Sequence, residues 1–345
     1  EGIFAFALWD ERDGTLLLMR DRLGVKPLYY GVAQGCLVFG SEIEALRASG
    51  LFGNDLDPQA LSEYLWFGNS HGTRTLHAEI NSVAPGHMLS IGSQDLAHVT
   101  KAWWRLEDWL DRGSLECSYE EGIEMLQAAL RAAVTRQLVS DVPLGLFLSG
   151  GIDSSAIAVA AARTSEGPID SYSASFDFAD GSSEAVKARA VADHLGLRHH
   201  DQTISGAGLE ATLRRLALAH GEPFGDAANI PLYMMCADFD GQIKVVLQGD
   251  GGDELFAGYR RHALLEKLDR WRMAPRILAP MIARMGHRGP RLARLIEALC
   301  ADSPGERMAR LLTMESQRLS PERFLEHNHR MALVAETDPF APYRA

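Results

Sequence analysis

Two rhythms divide the chain. Up to about residue 92 the apolar positions recur with a short period. Phe4, Phe6 and Leu8 alternate with small or apolar partners, Asp10 to Gly14 reads as a turn, and Thr15 to Met19 answers as a second strand. Cys36 to Phe39 reads as a further short strand following glycines at 31 and 35. The stretch "DPQALSEYLWF", Asp57 to Phe67, predicts a helix, with an N-cap aspartate, proline at the first helical position and helical apolar spacing. "VAPGH", Val83 to His87, is a turn leading into one more strand.

The pattern loosens over residues 93–117, which read as a linker between a β-rich domain at 1–92 and a second domain at 118–345. The Trp103-Trp104 pair in this stretch is expected to pack rather than to stack on a ligand. After Tyr119, strands alternate with helices of 10 to 15 residues. Helices are expected over 119–138, 154–163, 184–195 and 209–220, with a short one from Ile230. Strands are expected over 142–148, 169–176, 199–204 and 243–247. That alternation predicts an α/β fold with a doubly wound parallel sheet, in which ligands bind beyond the carboxyl ends of the strands.

Composition narrows the class. No apolar run reaches the roughly 18 residues of a membrane span, and no basic region followed by an apolar run opens the chain. Cys36, Cys117, Cys236 and Cys300 stand far apart without a CxxC pair, so a reducing cytoplasm is expected. The net charge of −12 argues against a broad nucleic-acid surface, and the Arg-rich stretch from Arg284 to Arg294 reads as a solvated helix face. The chain starts in strand-like sequence without methionine and stops without a clean element end. It therefore reads as a piece of something longer.

The chemistry concentrates in two glycine-rich segments at strand ends. In "LFLSGGIDSS", Leu146 to Ser155, an apolar strand runs into Gly150-Gly151 and then into a helix start. Glycines allow close backbone approach, the helix offers N–H groups and a positive dipole end, and Ser149, Ser154 and Ser155 add hydroxyls. Such a cradle suits a phosphate or pyrophosphate. It is neither a P-loop, since no lysine follows the glycines, nor a nucleophile elbow, since Phe147 replaces the first glycine. A valine at Gly150 is expected to abolish nucleotide binding without unfolding the domain. In "QGDGGDELFAGY", Gln248 to Tyr259, the acids Asp250, Asp253 and Glu254 stand among three glycines, as a loop holding divalent cations near phosphates would.

The two segments together resemble the synthetase domain of glutamine-hydrolysing asparagine synthetases, within the ATP-pyrophosphatase group. "GIFAFALWD", "RDRLGVKPLYY" and "FGSEIEAL" resemble the later part of the same family's class II glutaminase domain, of the N-terminal-nucleophile type. The resemblance implies ATP held by Phe147, Leu148, Ser149, Gly150, Gly151, Asp153, Ser154 and Ser155, with Ala174 facing the adenosine and Gln248 and Gly249 closing over the nucleotide. It implies Mg²⁺ on Asp153 and Asp253 and a catalytic role for Asp250 in forming an aspartyl-AMP intermediate. Glu222 and Asp226 of "EPFGDAANIPLY", with Glu254, would serve the acceptor. The implied substrates are ATP, an acceptor carboxylate (L-aspartate first) and glutamine, the implied place is the cytoplasm, and the implied assembly is a homodimer, with no nucleic acid and no membrane.

Two departures qualify the resemblance. Many asparagine synthetases carry glutamate where Asp250 stands, and aspartate followed by Gly-Gly is typical of paralogues. The alternative readings are an amide-forming paralogue, such as a β-lactam synthetase, a peptide-cyclising enzyme or a cell-envelope sugar amidotransferase, and a catalytically dead nucleotide-binding protein. The family's glutaminase nucleophile is an N-terminal cysteine, which Glu1 is not, and the family's lysine near the adenylate lies beyond Ala345. Residues 1–345 alone are therefore expected to hydrolyse no glutamine and to complete little or no amide synthesis. The histidines of "HLGLRHHD" (His194, His199, His200) read as a solvated edge rather than a metal site.

Overall fold

The hairpin that the first alternation predicts is present in the computed structural model, which describes residues 2–110, 112–165, 167–177, 182–226, 228–239, 241–270, 290–313 and 337–344. Contacts divide the chain into two units. One comprises Glu1–Gly113, Arg215–Asp226 and Ala263–Ala345, the other Ser114–Arg214 and Ala227–His262.

In the first unit the elements are β1 (Ala5–Asp10), β2 (Thr15–Arg20), β3 (Tyr29–Ala33), β4 (Cys36–Gly40), α1 (Ile43–Arg47), α2 (Pro58–Phe67), β5 (Ile80–Ser82), β6 (His87–Gly92), β7 (His98–Ala102) and α3 (Glu107–Leu110). They form two antiparallel sheets, of order β1-β2-β6-β7 and β4-β3-β5. One core cluster gathers Leu18, Leu28, Val83, Leu89 and Ile91, and a smaller one gathers Ile43, Leu46 and Ile80. Strand β1 lies at a sheet edge, and its Phe6, Leu8 and Trp9 are about half exposed.

The segment "RDRLGVKPLYY" owes its shape to two charged side chains. Buried Asp21 accepts from the backbone N–H groups of Phe4, Leu23, Val25 and Lys26. Those four bonds hold its carboxyl below the usual range against the desolvation that opposes them. Arg20 donates to the carbonyls of Gly24, Lys26 and Val83. Within residues 93–117, β7 pairs with β6, and Trp103 stacks on Phe4 and donates from Nε1 to the Arg20 carbonyl at 3.2 Å. Trp103 thus packs, as expected.

The second unit holds α4 (Tyr119–Gln137), β8 (Leu144–Phe147), α5 (Ile152–Thr164), β9 (Asp170–Phe176), α6 (Ser182–Leu195) and β10 (Arg198–Ile204). Helix α7 (Leu209–His220) straddles the unit boundary and is followed by α8 (Asn229–Ala237), β11 (Val245–Leu247), α9 (Gly252–Leu255) and α10 (Arg260–Arg270), the last crossing back. Helices α11 (Pro290–Cys300) and α12 (Pro304–Leu312) belong to the first unit. The Arg-rich stretch read as a solvated face lies mostly outside the described residues.

All pairings in the second sheet are parallel, in the order β10-β9-β8-β11. Both faces are covered. Leu146 and Leu148 pack with Val134 of α4 and with Ala158, Ala161, Ala188 and Ala192, whose small side chains allow close approach of α5 and α6. On the other face Phe147 packs with Tyr172, Met235 and Phe239. This is the doubly wound parallel sheet that the helix–strand alternation predicts. No described helix is long and apolar enough to cross a membrane.

One expectation about β10 fails. The side chain of His199 is 1% exposed, with Nδ1 2.9 Å from Ser171 Oγ and Nε2 within 3.1 Å of Ser173 Oγ and Asp201 Oδ1. Arg189 of α6 closes the network on Asp201, and burial lowers the His199 pKa. Only His194 and His200 are solvated, and His200 stacks on Tyr172 at 4.8 Å. The alternation of side chains along β10 sends neighbours 199 and 200 to opposite faces of the sheet, so adjacent histidines meet different surroundings.

Candidate active site

Chain order and sheet order diverge at β8. The strand that follows it in sequence, β9, pairs on one side, while β11 pairs on the other. This is a topological switch point, the place where open α/β sheets bind ligands in a crevice beyond the strand ends. The two glycine-rich segments are the loops that leave β8 and β11.

The β8 loop is braced by its own hydroxyls. Ser149 Oγ and Ser154 Oγ lie 3.0 Å apart, and Ser149 Oγ accepts from the Gly151 N–H at 3.3 Å. Helix α5 then begins with Gly151 as N-cap and no side-chain cap, so its first-turn N–H groups and dipole end are not spent on a capping side chain.

Gly150 corrects the expectation that a valine there would spare the fold. Its φ is +71°, and an added Cβ would stand 2.5 Å from Lys187 Cβ and 2.7 Å from the Ala188 backbone nitrogen. Gly150 thus faces α6, which explains the glycine by packing rather than by ligand approach.

The β11 loop is pressed onto the first turn of α5. A Cβ on Gly249 would fall 2.7 Å from the Ser154 nitrogen, and one on Gly252 would fall 2.5 Å from Asp153 Cγ. The Asp153 carboxylate therefore lies against the residue that precedes Asp253, although the two aspartates stand a hundred positions apart in sequence. Gln248 Nε2 donates to Asp250 Oδ2 at 2.7 Å. Tyr259 donates from its hydroxyl to Glu254 Oε1 at 2.7 Å, which holds the carboxyl below its usual range and raises the phenol. Arg261 lies over the Tyr259 ring at 3.8 Å. No motif legible in the sequence gives Tyr259 or Arg261 a role. The available signal is a tyrosine five positions after a loop glutamate, with an arginine two further on.

The structure thus brings Phe147 to Ser155 and Gln248 to Glu254 together in one unit. Phe147 and Ala174 both border the apolar cluster around Tyr172 and Phe239. Glu222 and Asp226 belong to the other unit, where Glu222 Oε2 accepts from the Leu76 N–H at 2.8 Å. Among the described residues no group of three or more His, Cys, Asp or Glu side chains is arranged to hold a metal ion. A Mg²⁺ ion needs only one or two carboxylates when substrate phosphates complete its shell. Asp153, beside the β11 loop in the first turn of the uncapped helix α5, fits that requirement.

Two family models match the chain, glutamine amidotransferase domain over residues 1–104 and asparagine synthase over residues 125–340. A glutamine-hydrolysing asparagine synthetase of Bacillus subtilis is 33% identical over 272 residues, covering 75% of this chain and 43% of its own length. A second synthetase from that organism is 32% identical, covering 75% and 40%. An amidase of Penicillium rubens is 33% identical over the same shares, 75% and 40%. The chain spans about two fifths of the length of these curated relatives.

Proposed function

Because the chain belongs to the asparagine synthase family, we propose that its cradle binds ATP and that the protein uses it to convert an acceptor carboxylate into an amide. The acceptor oxygen attacks the α-phosphorus and pyrophosphate leaves. Ammonia released from glutamine then attacks the acyl carbon, and AMP leaves with the former carboxylate oxygen. L-aspartate is the first acceptor to test, giving asparagine.

The observation that carries this reading is the seating of the β11 loop on α5, with Gly249 against Ser154 and Gly252 against Asp153. Phosphates lying in that crevice would meet the first turn of α5 and the Ser155 hydroxyl, while Ser149 and Ser154 keep the loop in shape. Asp153 and Asp253 would hold Mg²⁺, which when bound neutralises charge on the departing pyrophosphate. Asp250, which accepts from Gln248, would stand beside the forming adenylate. Holding carboxylate and triphosphate together despite like charges is the main service such a site performs. The proposed division is an amidotransferase part at 1–92, a linker at 93–117 and a synthetase part at 118–345, acting in the cytoplasm on small molecules, with a homodimer as the assembly.

Similarity to the Penicillium amidase favours a second reading in which the acceptor is not free aspartate. Pyrophosphate release by the protein, supplied with MgATP and ammonia, should depend on one member of a panel of amino acids, peptides and sugar acids. Release with aspartate supports the first reading, and release only with another acceptor supports the second. Nucleotide binding without release for any acceptor would overturn both.

A further inference from the structure

Residues 221–226 fall inside the stretch matched to asparagine synthase, yet they cluster with the stretch matched to the amidotransferase domain. Three hydrogen bonds stitch them there within five residues. His77 Nε2 donates to the Gly221 carbonyl at 3.0 Å, the Leu76 N–H donates to Glu222 Oε2 at 2.8 Å, and the Gly225 N–H donates to the Gly68 carbonyl at 2.7 Å. The backbones are in close contact, since a Cβ on Gly221 would stand 2.7 Å from Ile43 Cβ and one on Gly225 would stand 2.7 Å from Gly68 Cα. Burial raises the Glu222 carboxyl above its usual range against the opposing Leu76 bond and the neighbouring His77 and His220. A half-buried acid is kept here to satisfy a backbone donor, which would otherwise be left unpaired.

The stitched segment runs covalently into α8, which begins at Asn229. Met235 of α8 shares a core cluster with Phe147, the last residue of β8 before the phosphate cradle. Helix α8 and strand β8 thus share one core within the second unit.

We propose that His77 is a positioning residue that, with the Leu76 amide and the Gly68 carbonyl, clamps residues 221–226 to the amidotransferase-matched stretch and so couples glutamine hydrolysis to amide formation. This rests on the amide-forming reading above. His77 touches no reacting atom in it and acts through the Gly221 carbonyl. Among the described residues its Nδ1 has no hydrogen-bond partner, and the Gly221 carbonyl is the polar contact given for the ring.

The test compares wild type, His77→Ala and His77→Gln in the full-length protein that carries this chain, with glutamine or ammonia as nitrogen donor. In His77→Ala, pyrophosphate formed per glutamate formed should fall about tenfold while the rate with saturating ammonia stays within about twofold. His77→Gln keeps a side-chain N–H donor and should recover most of the ratio. An unchanged ratio, or equal losses with both donors, would overturn the proposal. Amide exchange supplies a readout that needs no turnover, because the Gly225 N–H should lose protection in His77→Ala and regain it in His77→Gln. Unchanged exchange overturns the clamp. Absence of pyrophosphate from wild type with either donor sinks the functional reading instead, and exchange then decides the clamp by itself.

Discussion

Helix α2 begins at Pro58 behind Asp57, whose Oδ1 accepts from the Ala60 N–H at 2.8 Å, whereas α5 begins at Ile152 behind Gly151 and carries no side-chain cap. Both helices start straight after a loop, and both bury small residues in a core. In the first unit the chain satisfies its own backbone, as Asp57 does for α2, Asp21 for the loop after β2 and Glu222 for Leu76. In the second unit the helix end nearest the switch point is left for something else. A helix that starts on glycine rather than on a capping side chain gives up a few tenths of a kcal/mol of stability, and the exposed dipole end is what an anion finds attractive.

The largest effect expected on this contrast comes from Gly150→Val. A β-branched residue at φ +71°, with its Cβ 2.5 Å from Lys187, combines backbone strain with overpacking and should cost about 3 kcal/mol or more. A urea unfolding transition for this variant at the wild-type midpoint would show that α6 does not rest on the loop. Next in size is Asp153→Asn, which keeps the shape but removes the charge. MgATP should bind about 10²-fold more weakly, while ATP in the presence of a chelator should bind almost as in wild type, because the lost group serves the metal. Equal losses in both titrations would remove the Mg²⁺ assignment.

What the sequence discloses follows the same division. Strands β8 and β11 and the loops that leave them are legible because these strands read as apolar runs whose ends glycines and acids mark. Strands β9 and β10 are mostly polar and are placed by their alternation with helices. The Asp-Pro start of α2 is legible because the cap chemistry is local. Strand β7 is hidden, since four of its five residues are exposed at a sheet edge and carry no alternation. Strand β3 is hidden because Gly31 looks like a break. The glycine is there because Phe52 and the Glu79 carbonyl press within 2.6 Å of where a Cβ would be. The place of Glu222 is likewise invisible, because its partner Leu76 lies 146 positions away and contributes only a backbone N–H.

Gly151→Asp turns α5 into a copy of α2 at its first position. The backbone there is extended, at φ −74° and ψ 168°, as an N-cap requires, and an added Cβ meets only Ser149 Oγ at 3.3 Å. The helix should gain a few tenths of a kcal/mol from the new cap. ATP affinity should fall about five- to tenfold, as a carboxylate takes the place of the phosphate at the dipole end. Calorimetry that shows undiminished affinity would mean that the phosphates do not lie at this helix end.

The smallest effect belongs to the other member of the pair. Asp57→Ala leaves the Ala60 N–H without its side-chain acceptor, while the Asp57 backbone bonds to Leu76 and Leu61 persist. Pro58 has no N–H of its own, so the first turn has one fewer donor to leave unsatisfied, and the cost should stay near about 1 kcal/mol. A melting temperature lower by about 2–4 °C is the expected reading, with Asp57→Ser restoring most of it and ATP affinity unchanged in both. A loss of ATP affinity in Asp57→Ala as large as that of Gly151→Asp would erase the distinction drawn here. The capped end would then matter to nucleotide as much as the uncapped one, and a helix start could no longer be assigned to fold or to ligand by asking whether the chain supplies its own acceptor.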